Sequence, residues 1–261
     1  MHYSKTLALL SLVCVAWTTG APASYLGDDF LKDVDFNKLD TKTKSYEGKS
    51  QEYKVFGDIL LPIDSANRAF SGRVWKDGKV VYAFDDGIST SQKEMFRKAC
   101  GLWEVPGKLK CVERISESNF VVVSKIAPDG VIAGQSVVGM PSGVGHMDIV
   151  DWNMQTLVHE IGHMIGKAHE HQRSDAAQYI DIHLENTSGS ESVKYNLLPS
   201  STRNHNPIDF DSCMFYFDTA FSKNGQRTIV LKSPYSAYQN KIGKAEKPSK
   251  VDKEDISFEY R

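Results

Sequence analysis

Apolar and polar positions divide the chain into three stretches. Thr6 to Trp17 is an apolar run about a dozen residues long, behind Lys5 and ahead of small residues that reach Ala21-Pro22-Ala23. A charged start, an apolar middle and a small-residue exit are the layout of a secretory leader; a membrane span needs roughly 20 apolar residues. Residues 24–68 mix acids and bases, and apolar positions are sparse until Val55-Phe56-Gly57-Asp58-Ile59-Leu60-Leu61. Such a stretch buries little surface alone, so it reads as a linker or propeptide with one short apolar docking point. From residue 70 onward the pattern becomes that of a globular domain.

Within that domain Arg73-Val74-Trp75 and Lys79 to Phe84 flank Asp77-Gly78, which predicts a hairpin. Ser91-Gln92-Lys93-Glu94 reads as a capping box. Met95, Phe96, Ala99, Cys100, Leu102 and Trp103 then recur at helical spacing, predicting an amphipathic helix over 91–103 that Pro106-Gly107 ends. Strands are expected over 110–115, 119–124 and 132–138, a helix over 152–166 closed by Gly166, and a charged last helix near 249–260.

Composition narrows the classes without choosing among enzymes. A chain of 261 residues is long enough for a sizeable core, and 41% hydrophobic with 25% charged residues excludes a disordered or collagen-like chain. Lys and Arg total 31 against 33 Asp and Glu, so a net charge of −2 gives no electrostatic case for nucleic acid. No stable membrane insertion is expected. The expected organisation is a signal peptide over 1–23, a propeptide over 24–68 and a catalytic domain over 69–261. Arg68, in Asn67-Arg68-Ala69, offers a basic residue to an activating protease. Cys14 leaves with the signal, and Cys100, Cys111 and Cys213 are an odd set, so at least one thiol stays free or pairs between chains. Asn186-Thr187-Ser188 is a glycan acceptor once secretion is granted.

The chemistry lies in His159-Glu160-Ile161-Gly162-His163-Met164-Ile165-Gly166-Lys167-Ala168-His169. On a helix, positions i and i+4 share a face, so His159 and His163 can address one ion. Glu160 borders the same face without having to ligate. Gly166 can take the left-handed backbone that ends a helix, and the turn lets His169 return as a third ligand. Three neutral imidazoles fill three positions of zinc and keep the fourth for water, whose pKa such a site lowers to about 7. Glu160 is then placed to take a proton and deliver it to a leaving amine. Gly and His at those two positions coincide by chance about once in 450, given 19 Gly and 8 His in the chain. Metal-assisted hydrolysis of a peptide bond follows.

These residues resemble the metzincin zinc peptidases, and Glu170 directly after the third histidine resembles the astacin family within them. Ser212-Cys213-Met214-Phe215-Tyr216 is similar to that family's Met-turn, and Phe56-Gly57-Asp58 to its propeptide motif. The resemblance implies an α+β, two-lobed zincin domain with a twisted mixed sheet and a central zinc-binding helix. It implies one zinc ion on His159, His163 and His169, with Met214 beneath it and Glu160 as general base and acid. Tyr216 would stabilise the oxyanion. Asp58 would close the zinc site in the zymogen, and Gly134, Gln135 and Ser136 would form the edge strand that pairs with protein or peptide substrates. The implied product is a secreted, extracellular zinc endopeptidase made as a zymogen.

The chain departs from the family pattern at Lys167, at Ala176-Ala177 and at Phe215, which replaces the Met-turn histidine. The family closes two disulfides; here Cys111 stands where one partner belongs, a Cys100–Cys111 pairing stays open, and Cys213 is left over. These departures motivate the alternative, a secreted zinc-bound binding or toxin-component protein without catalysis. Glu160, which a pure binder does not need, argues for the enzyme.

Overall fold

A computed structural model describes residues 42–46, 51–63, 74–128, 132–187 and 206–260. The leader, Arg68 and Ser188 of the glycan acceptor lie outside the described residues, as do the cleavage sites expected near 20–23.

Ten strands and three α-helices occur among the described residues. In chain order these are β1 (Lys42–Ser45), β2 (Glu52–Phe56), β3 (Ile59–Ile63), β4 (Lys79–Phe84), α1 (Thr90–Trp103), β5 (Lys110–Glu113) and β6 (Phe120–Lys125). Then come β7 (Gly134–Val137), β8 (Val144–Ile149), α2 (Met154–Met164), β9 (Ile180–Ile182), β10 (Ile229–Leu231) and α3 (Lys250–Glu259). Eight strands form one mixed sheet in the order β1-β2-β3-β7-β8-β6-β4-β5, and β9 pairs with β10 in a small second sheet. β4 runs parallel to both β5 and β6, and β6 parallel to β8, whereas β7 is antiparallel to β8.

The alternating apolar faces of β4, β6 and β8 supply Val80, Tyr82, Val121, Val123, Met147 and Ile149 to the main core, against Phe96, Trp103, Leu157 and Ile161 of the two long helices. A second apolar cluster gathers Ile180, Ile208, Phe210, Phe215, Tyr216, Ile229, Leu231 and Ile242 from the C-terminal half. These two cores make the two lobes of an α+β domain. The central helix α2 is pinned by donors from three directions. The indole N–H of Trp103 donates to the Val158 carbonyl (2.8 Å) and that of Trp75 to the Met164 carbonyl (2.7 Å), while the Tyr260 hydroxyl donates to the Ile165 carbonyl (2.7 Å).

The structure corrects several expectations. The predicted hairpin does not form among the described residues 74–84: Lys76–Gly78 is one tight turn, Trp75 is buried against the end of α2, and β4 finds both neighbours elsewhere in the chain. Helix α1 is capped by Ser89, not Ser91; Gln92 completes the box by accepting from the Ser89 backbone N–H at 3.0 Å. Both serines fit the same spacing, so the pattern alone could not choose. The segment read as a linker or propeptide with one short apolar docking point buries Ile59, Leu60 and Leu61 of that point, and beyond it supplies three strands and the buried Tyr53. Cys100, Cys111 and Cys213 are all free thiols.

Candidate metal centre

Asn153 starts α2 by accepting from the Thr156 backbone N–H at 2.9 Å, leaving the next two turns to carry His159, Glu160 and His163. At Gly162 the helix touches the Met-turn. A Cβ there would stand 2.2 Å from the Met214 sulfur and 3.0 Å from the Trp103 ring, so any larger residue would have to push the Met214 side chain aside. The helix stops because Gly166 adopts φ 111°, and the Lys167 N–H closes back onto the Gly162 carbonyl at 2.9 Å. The chain reverses and brings His169 home.

The three imidazoles converge through their Nε2 atoms. His169 Nε2 lies 3.3 Å from that of His159 and 3.1 Å from that of His163. Each Nδ1 meets an oxygen on the outside: the Cys213 carbonyl for His159 (2.7 Å), the Lys167 carbonyl for His163 (2.8 Å) and the Gln172 side-chain oxygen for His169 (2.7 Å). Carbonyl oxygens only accept, so each Nδ1 carries the proton and each Nε2 turns its lone pair inward. Lone pairs this close repel one another unless a cation lies between them. Burial first, then the neighbouring His169, push His163 down to about 4, so it is neutral at neutral pH. Three imidazoles bonded on their outer side, with one carboxylate nearby, are the donor chemistry zinc takes.

That carboxylate is Asp58, in the Gly57-Asp58 turn between β2 and β3. It lies 3.0 Å from His169 Nε2, 3.2 Å from His159 Nε2 and 3.6 Å from His163 Nε2. The four ligand atoms fall within 4.8 Å of one another. Burial alone would raise the Asp58 carboxyl, but its electrostatic contacts with the three histidines, His169 first, outweigh it and hold it well below the usual range. The Tyr216 hydroxyl donates to Asp58 Oδ1 at 3.0 Å, and its ring packs on His169 and His171. Phe215, at the place of the family's Met-turn histidine, is buried in the second core beside Phe210.

Glu160 is 2% exposed, and its Oε2 has no hydrogen-bond partner among the described residues. Burial first, then the nearby charges of Asp58 and Asp148, push its carboxyl well up. It faces a cleft of about 420 Å³ lined by Asp58, Gly134, His159, Tyr216, Phe217 and Phe221 among others. Gly134 opens β7 directly beside the Glu160 carboxylate. Gln135 donates to Asp148 at 2.7 Å, and the Ser136 N–H donates to the Asp58 carbonyl at 2.8 Å. The edge of β7 is thus occupied by β3, which runs parallel to it through Ile59–Ser136 and Leu60–Val137.

All ten residues singled out from the sequence fall in or beside this centre. The sequence did not disclose Gln172, the carbonyls of Lys167 and Cys213, or the aromatic wall of Phe217 and Phe221. Nothing marks a backbone carbonyl in a sequence, and Gln172 is signalled only by its place one turn after His169.

Comparison with known proteins agrees with the geometry. The family model for astacin, a family of peptidases, matches residues 67–261. Astacin-like metalloprotease toxin 1 of Loxosceles intermedia is 31% identical over 188 residues, covering 68% of this chain and 69% of the toxin. Zinc metalloproteinase nas-7 of Caenorhabditis elegans is 28% identical over 241 residues, covering 88% of this chain and 60% of that protein. Among solved structures, high choriolytic enzyme 1, a hatching enzyme zinc-protease from Oryzias latipes, aligns with TM-score 0.61 at 24% identity over 72% of this chain and 92% of the other. At that identity the structural likeness establishes the fold.

Proposed function

The chain belongs to the astacin family and is a zinc metalloendopeptidase, and from that premise we propose that it is a secreted, latent precursor whose activity is released when the segment before residue 69 is removed. His159, His163 and His169 would hold the zinc through Nε2. Bound there, zinc supplies Lewis acidity, lowering the pKa of water to about 7 and polarising the scissile carbonyl.

The remaining chemistry belongs to the chain. Glu160 takes the proton of the attacking water on its unpartnered oxygen and passes it to the departing amine. Its burial suits the role, because a carboxyl pushed upward takes the water's proton more strongly and still holds it near neutrality for delivery to the amine. Tyr216, once Asp58 is withdrawn, can turn its hydroxyl to the developing oxyanion and donate there. An extended substrate would take the place of β3 along β7 by strand addition, with Gly134, Gln135 and Ser136 as its backbone partners. Secretion is supported by the apolar leader before Ala21-Pro22-Ala23 and by the likeness to a toxin.

The observation that carries this reading is Asp58, a residue of the N-terminal segment, set among three histidines and the tyrosine that the reaction needs. The test compares the full chain with protein cut after Arg68, on a quenched peptide with zinc quantified. Cleavage is expected only after the cut. Glu160→Gln should retain zinc and lose roughly a hundred- to ten-thousandfold in kcat. Equal zinc content with no Glu160-dependent cleavage would instead favour a non-catalytic zinc-bound binder.

A further inference from the structure

Two of the three metal-facing imidazoles are oriented by backbone carbonyls, those of Lys167 and Cys213. The two carbonyls come from distant segments of the chain, yet one buried cluster of charges grips both. Lys167 is 1% exposed, and its ammonium donates to Asp255 Oδ2 at 2.8 Å and lies 3.5 Å from Asp252 Oδ1. Asp252, also 1% exposed, accepts from the Ser212 hydroxyl at 2.8 Å and from the Cys213 N–H at 3.3 Å. Asp255 additionally accepts from Asn206 at 2.7 Å. Both acids stand on one face of α3, at i and i+3, and the first is fixed by the capping box with Ser249.

An imidazole follows the oxygen that its Nδ1–H bonds. Displacing the Lys167 carbonyl swings His163, and displacing the Cys213 carbonyl swings His159. A buried ammonium is costly unless paired, so Lys167 at this place needs α3 to stay docked. An apolar residue would fill the same space without fixing a direction. We propose that Lys167 and Asp252 are positioning residues: through α3 they hold the carbonyls of Lys167 and Cys213, and through these the metal-facing geometry of His163 and His159. The proposal rests on reading the histidines as the zinc ligands.

The experiment measures zinc affinity of the full chain by chelator competition, together with the visible spectrum of the cobalt-substituted protein. Lys167→Met and Asp252→Asn should each weaken zinc binding by about ten- to a hundredfold and shift the cobalt bands. Val123→Ala, which loosens the same core without touching either carbonyl, should leave both readouts within about twofold. If Asp252→Asn does not fold, Ser212→Ala replaces it, with an expected loss of about three- to tenfold. Zinc affinity and cobalt bands unchanged in the cluster variants, while His163→Ala loses the metal, would overturn the proposal. Zinc retained by His163→Ala would instead remove the ligand reading, and this inference with it.

Discussion

Single residues in this molecule are constrained by what lies opposite them. Gly162 leaves the space into which the Met214 side chain packs against the helix, and Gly162→Ala, by displacing it, should lower stability by about 1–3 kcal/mol, read from a denaturant midpoint at unchanged slope. Tyr216 touches both the metal-facing His169 and Asp58. In protein cut after Arg68, Tyr216→Phe should lower kcat about a hundredfold with little change in KM, as a donor used only in the transition state would. The histidine triad was legible in the sequence because helical spacing and one glycine turn gather all three within a short local segment. Its outer partners were not: the oxygen that orients His159 comes from Cys213, 54 positions away.

Among the elements, α2 lies close to its predicted span, because its cap, apolar stripe and terminating glycine are all local signals. The last helix followed its charged pattern for the same reason. The predicted hairpin failed because a turn-like Asp77-Gly78 is a local signal, whereas β4 is claimed by two parallel neighbours. Helix α3 carries its own prediction. Glu259 is pushed up to about 8, first by burial and then by the charge of Asp255, with Lys167 opposing. Its unfolded value lies lower, near 4.5. The protonated form is therefore favoured in the folded state, and that stability, full at acidic pH, is lost as pH rises through about 8. Glu259→Gln should flatten this decline, measured as melting temperature from about pH 5 to 9.

At the scale of the molecule, the N-terminal segment was the part least legible in advance. Its composition is polar, but β3 needs only a few apolar residues because β7 lends it a ready-made edge. On the proposed latency, blocking would be double: Asp58 lies among the three histidines and β3 along the strand edge. Asp58→Ala should raise hydrolysis of a short quenched peptide by the full chain, yet leave it below that of protein cut after Arg68. Equal rates would show that the edge contributes nothing to latency. Metal removal should act on the whole fold, since a ligand bound to the native state adds about 4 kcal/mol at a thousand times its dissociation constant. A strong chelator should lower the melting temperature, and added zinc should restore it.

Cys100, Cys111 and Cys213 carry free thiols, while Lys167 and its two aspartates join helix α3 to the turn that carries His169. A rivet made of charge answers to different solvents from one made of sulfur. Dithiothreitol should leave it intact, so protein produced in a reducing cytosol and in an oxidising one should behave alike. Strong acid is its solvent: burial pulls the Asp252 carboxylate upward, the Lys167 ammonium outweighs that pull and holds it below its ordinary value, and its contribution is given up only as pH falls beneath the usual aspartate range.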